Sequence, residues 1–370
     1  MKTNKPPTFS GGFRKAPSST WQSHGDFTPM SSPAASKGQQ RTPFWGIALV
    51  LGLVAVGCGG TGDGDSAKEN AAATKTGAKG TIGLSVLTMT NPFFKVIADN
   101  VVEEARKHGY DVLVTSGEWD VARQQNQVKD FIVRKVKAII LCPCNAVSIG
   151  PAIVEATEAG IPVFTADLAC LAPGAKDMVV SHIATDNYGG GKLSGEAMIE
   201  ALGEAGGKIV ILDFKPAESC LLRVKGFKEV LDDYNQSRTN GRIEIVSELN
   251  GGGAKDIGQR AAEDVLQAHP DLAGIFAIND ACALGARAAL EKAGKADRVK
   301  IVGFDGQPEG KQAIKEGKIF ADPIQYPDQI AIKTVQAIVQ HFEGEEVPRE
   351  ILIPTSLYRQ ADAEKDPSLR

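Results

Sequence analysis

Five amide or carboxylate side chains each follow a short apolar run of the sequence. They are Asn91, Asp167, Asn279, Asp305 and Gln325. Carboxylates accept hydrogen bonds and amides both accept and donate them, so such a set can bind the paired hydroxyl groups of a sugar or polyol. Singly, each could equally cap a helix or shape a turn. Five at equivalent positions favour a binding site.

Aromatic side chains accompany these polar residues. Phe93 and Phe94 follow the first amide, and Phe304 stands next to Asp305. Apolar slots with a few fixed polar groups are typical of small-ligand sites. Adjacent helical positions point about 100° apart, so Phe93 and Phe94 belong either to a core helix or to a binding surface that uses them differently. Trp119 is either a further stacking surface or part of loop packing.

Motifs for other chemistries are missing from the sequence. The segments GEAGGKI (203–209) and GGGK (189–192) depart from the phosphate-loop spacing, and no G-x-G-x-x-G follows the first strand. The five histidines show no metal-ligand spacing. Asp167 and Asp305 could in principle form an acid–base pair, but no nucleophile–base pair is present. We therefore expect a binding protein without cofactor or metal, and not an enzyme.

Five cysteines follow residue 80 of the chain. They are Cys142, Cys144, Cys170, Cys220 and Cys282. An odd number leaves at least one thiol free. Packing as small apolar residues is favoured over disulfides, which stay an alternative.

Size and charge restrict the class of protein. The chain has 370 residues, 42% of them hydrophobic, and a formal net charge of −4. That length allows two domains with proper cores. Charges of both signs are interspersed and no basic stripe occurs, so we expect no nucleic-acid partner.

The first 79 residues differ from the rest. An apolar run at 44–56 ends in Gly57-Cys58, which is typical of an export signal with a lipoprotein cleavage site. We expect residues 1–57 to be the signal, with Met30 as a possible true start, and 58–79 to be a flexible tether. Cys58 would carry the lipid. The alternative is an uncleaved membrane anchor.

From residue 80 the sequence alternates between strand and helix patterns. Strands are predicted near 80–86, 110–115, 137–142, 161–166, 208–213, 242–247, 273–277 and 299–304. Helices are predicted near 92–108, 120–135, 146–159, 189–205, 219–234, 256–269, 281–293 and 308–316. This alternation predicts an α/β protein with two lobes, each a parallel sheet flanked by helices. Ligands bind beyond the carboxyl ends of such strands, which predicts a site in the cleft between the lobes.

Several segments together resemble a known family. They are NPFF, VVSHIATDN, AHPDLAGIFAINDACALGA, VGFDGQPEG and PDQIA. The chain resembles the ribose-binding-protein-like members of the type I periplasmic binding proteins, which serve bacterial ABC importers. The resemblance implies two Rossmann-like lobes joined by a three-segment hinge. The implied lobes are 80–184 with 326–354, and 185–325 with 355–370.

The resemblance also implies which residues bind the ligand. Asn91, Phe93 and Phe94 match one side of the sugar slot. The hydroxyl-binding positions match Asp167, Asn279, Asp305 and Gln325, with Phe304 as the aromatic beside them. Two expected arginines fall on Leu168 and Leu221. An expected aromatic falls on Gly253, and an expected amide falls on Cys142.

These departures predict a ligand other than D-ribose. Each lost arginine removes up to five donors and a positive charge, so ribose hydroxyls would stay unpaired there. We expect a monomeric, periplasmic lipoprotein that delivers a neutral pentose, deoxy sugar or polyol to an ABC permease. The alternative is a sugar or quorum-signal receptor with a membrane signalling partner. A transcription regulator of similar fold would need a DNA-binding helix-turn-helix where this chain has its export signal.

Overall fold

The computed structural model describes residues 79–369. The predicted export signal 1–57, the alternative start Met30, the lipidation site Cys58 and all but the last residue of the predicted tether lie outside these residues. Among the residues described, no helix has both the length and the apolar character needed to cross a membrane.

Twelve strands and ten helices are described, in alternating order along most of the chain. The strands are β1 Gly80–Val86, β2 Tyr110–Ser116, β3 Ala138–Leu141, β4 Val163–Ala166, β5 Val179–Thr185, β6 Gly207–Asp213, β7 Ile243–Asn250, β8 Leu272–Ala277, β9 Lys300–Val302, β10 Ala321–Ile324, β11 Glu350–Ile353 and β12 Ser356–Arg359. The helices are α1 Pro92–Lys107, α2 Val121–Val133, α3 Gly150–Glu158, α4 Asn187–Leu202, α5 Glu218–Gln236, α6 Lys255–Ala268, α7 Asp280–Lys292, α8 Pro308–Lys315, α9 Pro327–Glu343 and α10 Gln360–Ala363.

The strands form two six-stranded sheets. The first has the order β11-β5-β4-β3-β1-β2 and the second β12-β10-β9-β8-β6-β7. Every pair is parallel except β10 with β12. The strands β1 to β5 in the first sheet and β6 to β10 in the second are therefore arranged in the same order. In this order β1 lies between β2 and β3, and β6 lies between β7 and β8. The predicted α/β class is confirmed.

This strand order determines where a ligand can bind. In doubly wound sheets the crevice opens beyond the carboxyl ends of the strands, where the direction of winding reverses. Those points lie between β1 and β3 in the first sheet and between β6 and β8 in the second. Both strands β1 and β6 are buried over their last five residues, because helices cover the two faces of each sheet.

The chain passes between the two sheets three times. The passages lie after β5, after β10 and after β11. Hydrogen bonds join them: the N–H of Asp186 donates to the carbonyl of Ile353 at 2.8 Å, and Thr185 Oγ1 donates to Gln325 Oε1 at 2.6 Å. The predicted lobe boundaries stay a prediction, with these passages as their structural counterpart.

Two local differences from the expected elements have clear causes. The helix predicted from 146 begins only at Gly150, because Asn145 Oδ1 accepts the N–H groups of Val147 and Ser148 and closes a turn first. Strand β12 and the short helix α10 that follows it are among the elements absent from the predicted set. Strand β12 adds an antiparallel edge to the second sheet, against β10.

Candidate functional site

A cavity of about 250 Å³ lies where loops from both sheets meet. Its walls come from the loops that follow β1, β2, β3 and β4 of the first sheet and β6, β7, β8, β9 and β10 of the second. The sequence-predicted residues in its lining are Asn91, Phe93, Phe94, Trp119, Asp167, Leu168, Asn279, Asp305 and Gln325. Residues separated by more than 200 positions are thus brought to one site.

The start of α1 supplies one apolar wall. Asn91 caps the helix, since its Oδ1 accepts the N–H of Phe93 at 3.0 Å, and Pro92 occupies the first helical position. Phe93 and Phe94 are 7% and 5% exposed, and their rings meet edge to face with centroids 5.4 Å apart. Both rings line the cavity and both belong to the core of the first lobe. Phe93 and Phe94 therefore belong to a core helix and also line a cavity, so the two alternatives offered by the sequence do not exclude each other.

Asp167 presents a buried carboxyl group to the cavity. Its backbone is left-handed, with φ at 66°, and its N–H donates to the carbonyl of Ile183 at 2.8 Å. The residue is 9% exposed, and its carboxyl makes no hydrogen bond to any part of the chain between residues 79 and 369. Burial raises the pKa of Asp167 to about 7, while Arg223 opposes this shift and Asp305 adds to it.

Arg223 and Asp305 form the centre of the opposite wall. The Arg223 Nη1 donates to Asp305 Oδ1 at 2.8 Å and to the carbonyl of Ile278 at 2.7 Å, and Nε donates to Asn187 Oδ1 at 2.8 Å. The guanidinium lies 3.8 Å from the ring centroid of Phe304. An arginine held on three sides in this way is preorganised for a ligand.

Gln325 joins this wall to the chain passages between the sheets. Its Nε2 donates to Asp305 Oδ1 at 2.6 Å, and its Oε1 accepts from Thr185 Oγ1. Burial raises the pKa of Asp305, although the bonds from Arg223 and Gln325 pull it down. One carboxylate oxygen thus receives two donors, and Gln325 links Asp305 to Thr185 at the passage that follows β5.

Asn279 lines the cavity and also stabilises the start of α7 and the loop after β7. Its Oδ1 caps α7 by accepting the N–H of Cys282 at 2.9 Å, and its Nδ2 donates to the carbonyl of Gly253 at 3.0 Å. Gly253 adopts a φ of 62°, which suits glycine, and it also lines the cavity. No aromatic ring closes the site from this loop.

The prediction that Leu221 faces the ligand is wrong. Leu221 is 45% exposed and is not in the cavity wall, because it lies two residues before Arg223 on α5, about 200° around the helix. Sequence reasoning missed Arg223. The signal was present: Cys220, Val224 and Phe227 mark the buried face of α5, and Arg223 adjoins it.

Phe304 and Cys142 are also misplaced by the sequence reasoning. Phe304 is fully buried behind the Arg223 guanidinium and supports it, and Cys142 is fully buried beneath the loop after β3. Neither lines the cavity. The thiol that does is Cys144, two residues further on, together with Cys220 from α5. All five cysteines in the described part of the chain are free thiols.

A buried glutamine holds the loop that carries Cys144. Gln124 is fully buried, its Oε1 accepts the N–H of Cys144 at 2.8 Å, and its Nε2 donates to the Cys142 carbonyl at 3.0 Å and to Ser85 Oγ at 3.1 Å. It therefore joins the ends of β1 and β3, where the crevice opens. Sequence reasoning missed this residue, because a lone glutamine in a helix carries no signal of burial.

Metal chemistry finds no support in the described residues. No group of three or more His, Cys, Asp or Glu side chains is arranged to hold an ion between residues 79 and 369. His182 is bonded to Thr165 instead, at 2.9 Å, and burial lowers its pKa to about 4.

Comparison with known proteins identifies the class. A family model described as a periplasmic binding protein domain matches residues 82–346, and the chain belongs to this family. A solved ABC transporter periplasmic solute binding protein from Actinobacillus succinogenes, with bound D-allose, matches with a TM-score of 0.71 and 26% identity, over 78% of this chain and 100% of that one. A solute binding protein from Mycobacterium smegmatis with bound glycerol matches with a TM-score of 0.70 and 30% identity, over 78% and 96%.

The relatives place the chain among the sugar-binding members. The ribose import binding protein RbsB of Escherichia coli strain K12 is 35% identical over 270 residues, 73% of this chain and 87% of that protein. The D-apiose import binding protein of Paraburkholderia graminis is 34% identical over 277 residues, 74% and 86%. The predicted resemblance to ribose-binding proteins and the type I fold are confirmed. The relatives are binding proteins of importers, so the prediction that the chain is not an enzyme is confirmed as well. Membership of this family implies an extracytoplasmic location.

Proposed function

We propose that this protein captures a neutral sugar or sugar-like ligand in the cavity between its lobes and delivers it to an ABC importer. The observation that supports this most directly is the carboxyl group of Asp167. It is nine-tenths buried, lies in the cavity wall and makes no hydrogen bond to residues 79–369. A buried carboxylate needs donors, and a ligand with hydroxyl groups supplies them.

The charges of the cavity favour a neutral ligand. Three acids line it, Asp167, Glu218 and Asp305, against the single cation Arg223. That cation is already bonded to Asp305 at 2.8 Å. An anionic ligand would meet uncompensated carboxylates in a site of low dielectric, which is costly. Sugar phosphates and sugar acids are therefore poor candidates.

The size of the cavity favours a small ligand. Its volume of about 250 Å³ lies below the range of about 300–1000 Å³ typical of drug-sized ligands. The apolar walls of Phe93, Phe94 and Leu168 suit the C–H faces of a sugar ring. Relatives are named for ribose, apiose and allose, all of which are small polyhydroxy compounds.

The residue beside Asp167 argues against D-ribose itself. Leu168 stands where the family resemblance implies an arginine, and it offers no donor. Arg223 supplies the other arginine, so the difference is now confined to one side of the cavity. A hydroxyl group left unpaired there costs about 1–3 kcal/mol. A pentose other than ribose, a deoxy sugar or a polyol with an apolar edge at Leu168 fits better.

Isothermal titration tests this proposal. The purified protein is titrated with D-ribose, D-apiose, D-allose, D-fucose, myo-inositol and glycerol. We expect one of the other compounds to bind at least tenfold more tightly than D-ribose, since one unpaired hydroxyl is worth about that factor. Sub-micromolar affinity for D-ribose would refute the claim that D-ribose is not the ligand. If none of the sugars and polyols binds, the proposed function is refuted.

Membrane tethering through Cys58 belongs to the same proposal. The support is the sequence alone, an apolar run that ends in small residues before Cys58. With the full chain expressed in a bacterial host, we expect Cys58→Ser to move the protein from the membrane to the soluble fraction. Retention of this variant in the membrane would instead favour the uncleaved anchor. A monomeric state is proposed too, and light scattering of the soluble variant tests it.

A further inference from the structure

The loop after β2 holds an aromatic side chain in a rare backbone conformation. Glu118 and Trp119 are consecutive residues with positive φ, at 51° and 63°. Such residues are uncommon outside glycine, and they persist only where the surroundings impose them. Trp119 is also 60% exposed, so burial of the indole does not explain why the chain adopts this loop.

Hydrogen bonds from the first lobe impose the conformation. The Glu118 carboxylate accepts from Ser116 Oγ, from Thr88 Oγ1 at 3.0 Å and from the N–H of Met89 at 3.3 Å. These bonds lower the pKa of Glu118. The N–H of Trp119 donates to the Leu87 carbonyl at 3.2 Å. The loop is therefore fixed to the segment that follows β1, and the indole is held at the rim of the cavity.

An apolar residue of the second lobe lines the same cavity. Phe214, directly after β6, packs on the core of its lobe and is partly buried. Its N–H donates to Asp213 Oδ1 and its carbonyl accepts from Ala217, which fix the loop. Pro216 and Ala217 continue the apolar lining from this side. Each lobe thus contributes one aromatic ring to the cavity. The predicted hydroxyl-binding residues Asp167, Asp305 and Gln325 are buried deeper in the same cavity.

From this arrangement we propose that Trp119 and Phe214 form an outer apolar subsite, continuous with the inner cavity, that binds a ring or apolar substituent of a sugar. The inference rests on the proposed function, because it requires the sugar itself to bind at the polar residues of the inner cavity. The sugar itself stays within the small cavity, while its substituent extends past the exposed Trp119 toward solvent, so the preferred ligand is a glycoside or other substituted form of a small sugar. Aromatic stacking of the substituent supplies the added affinity.

Matched pairs of ligands test the subsite. The full-length protein is titrated with D-fucose, D-galactose and D-xylose, each beside its methyl and 4-nitrophenyl β-glycosides. For a sugar that binds, we expect the nitrophenyl glycoside to bind about three- to tenfold more tightly than the methyl glycoside. Equal or weaker binding of the nitrophenyl glycoside overturns the proposal.

Variants assign the effect to Trp119. We expect Trp119→Ala to bring the affinity ratio of the two glycosides to about one, and Trp119→Phe to keep part of the preference. Phe342→Ala is the matched control, since Phe342 is a partly exposed aromatic of the first lobe outside the cavity, and it should leave the ratio unchanged. A ratio that Trp119→Ala does not alter overturns the proposal. Failure of every sugar and glycoside to bind overturns the proposed function, and the subsite with it.

Fluorescence gives an independent measurement. The chain contains three tryptophans, and the other two, Trp21 and Trp45, lie in the predicted export signal. With both replaced by Phe in the full chain, Trp119 is the single indole emitter. Saturation with a nitrophenyl glycoside should quench its emission strongly, whereas the methyl glycoside should not. Emission that both glycosides leave unchanged contradicts stacking at this position.

Discussion

At the scale of single residues, we expect the ionisation of Asp167 to govern ligand affinity. Its pKa is raised to about 7 by burial, and Arg223 only partly opposes this. Ligand hydroxyl groups bond best to the ionised carboxylate. The free protein carries a proton on Asp167 below this pKa, and binding must then release it.

Affinity for the sugar should therefore fall as the pH drops below about 7, by up to about tenfold per pH unit while one proton is released. Titration calorimetry between pH 5.5 and 8.5 measures this. Asp167→Asn should bind more weakly and with a flat pH profile. A wild-type affinity that is constant through pH 7 would show that Asp167 does not contact the ligand as a carboxylate.

The neighbouring position determines which sugar is preferred. Leu168→Arg places a guanidinium beside Asp167, where it lowers the pKa of that carboxyl and offers donors to ligand hydroxyls. We expect D-ribose affinity to rise at least tenfold, since a hydrogen bond to a charged group contributes about 1.5–3 kcal/mol. Leu168→Met is the control for size. If Leu168→Arg does not bind D-ribose better than Leu168→Met, selectivity does not reside at this position.

At the scale of secondary-structure elements, two buried acids join α7 to β10. Asp280 and Asp322 are 2% and 0% exposed, and within the described chain Oδ1 of Asp280 and both carboxyl oxygens of Asp322 have no hydrogen-bond partner. The two carboxyls lie beside each other, so a proton held on one of them can be donated to the other. Burial raises the pKa of Asp322 to about 6 and that of Asp280 well above its usual value.

The stability of the fold should depend on this proton. Because the folded-state pKa values lie above the unfolded value of about 3.9, the folded state binds more protons above that pH, and stability falls as the pH rises from about 4 through 6. Asp322→Asn removes one charge. The change in the free energy of unfolding from wild type to this variant should therefore be more favourable at pH 8 than at pH 4, by about 1–3 kcal/mol. Denaturant unfolding at the two pH values measures the difference. Exposed Asp256→Asn is the control, and an equal effect of both variants would rule out the shared proton.

Strand ends could be predicted from the sequence, whereas helix faces and tertiary pairs could not. The ends of the buried strands were predictable from apolar runs, and with them Asn91, Asp167, Asn279, Asp305 and Gln325, because strand ends define the site in this fold. The family resemblance places an expected arginine at Leu221, and the sequence does not show which side of α5 faces the cavity, where Arg223 lies instead. Pairs such as Asp280 with Asp322, 42 positions apart, depend on tertiary packing, which a single sequence does not display.

At the scale of the whole molecule, the proposed ligand should couple the two lobes. The cavity walls come from loops of both sheets, and within residues 79–369 three passages connect these sheets, one of which contains Gln325. A ligand that binds both walls stabilises the closed arrangement by differential affinity. It also stabilises the folded state, by about 2.7 kcal/mol at a ligand concentration of 100 times Kd.

A thermal-shift screen should therefore detect the ligand as a rise in Tm, and X-ray scattering should show a smaller radius of gyration when the same ligand is present. The Gln325→Ala variant loses the bonds to Asp305 and Thr185, so it should show a smaller shift in both. A ligand that raises Tm without compacting the molecule would contradict closure of the lobes around it.

The central claim is that one sugar-like ligand binds between the lobes at Asp305. The most direct measurement is isothermal titration of wild type and Asp305→Ala with the tightest ligand of the sugar panel, after circular dichroism has shown that both are folded. The loss of Asp305 leaves the buried Arg223 without its carboxylate and the ligand without an acceptor, so we expect affinity to fall at least a hundredfold. An affinity that Asp305→Ala leaves unchanged would contradict the assignment of the cavity as the binding site.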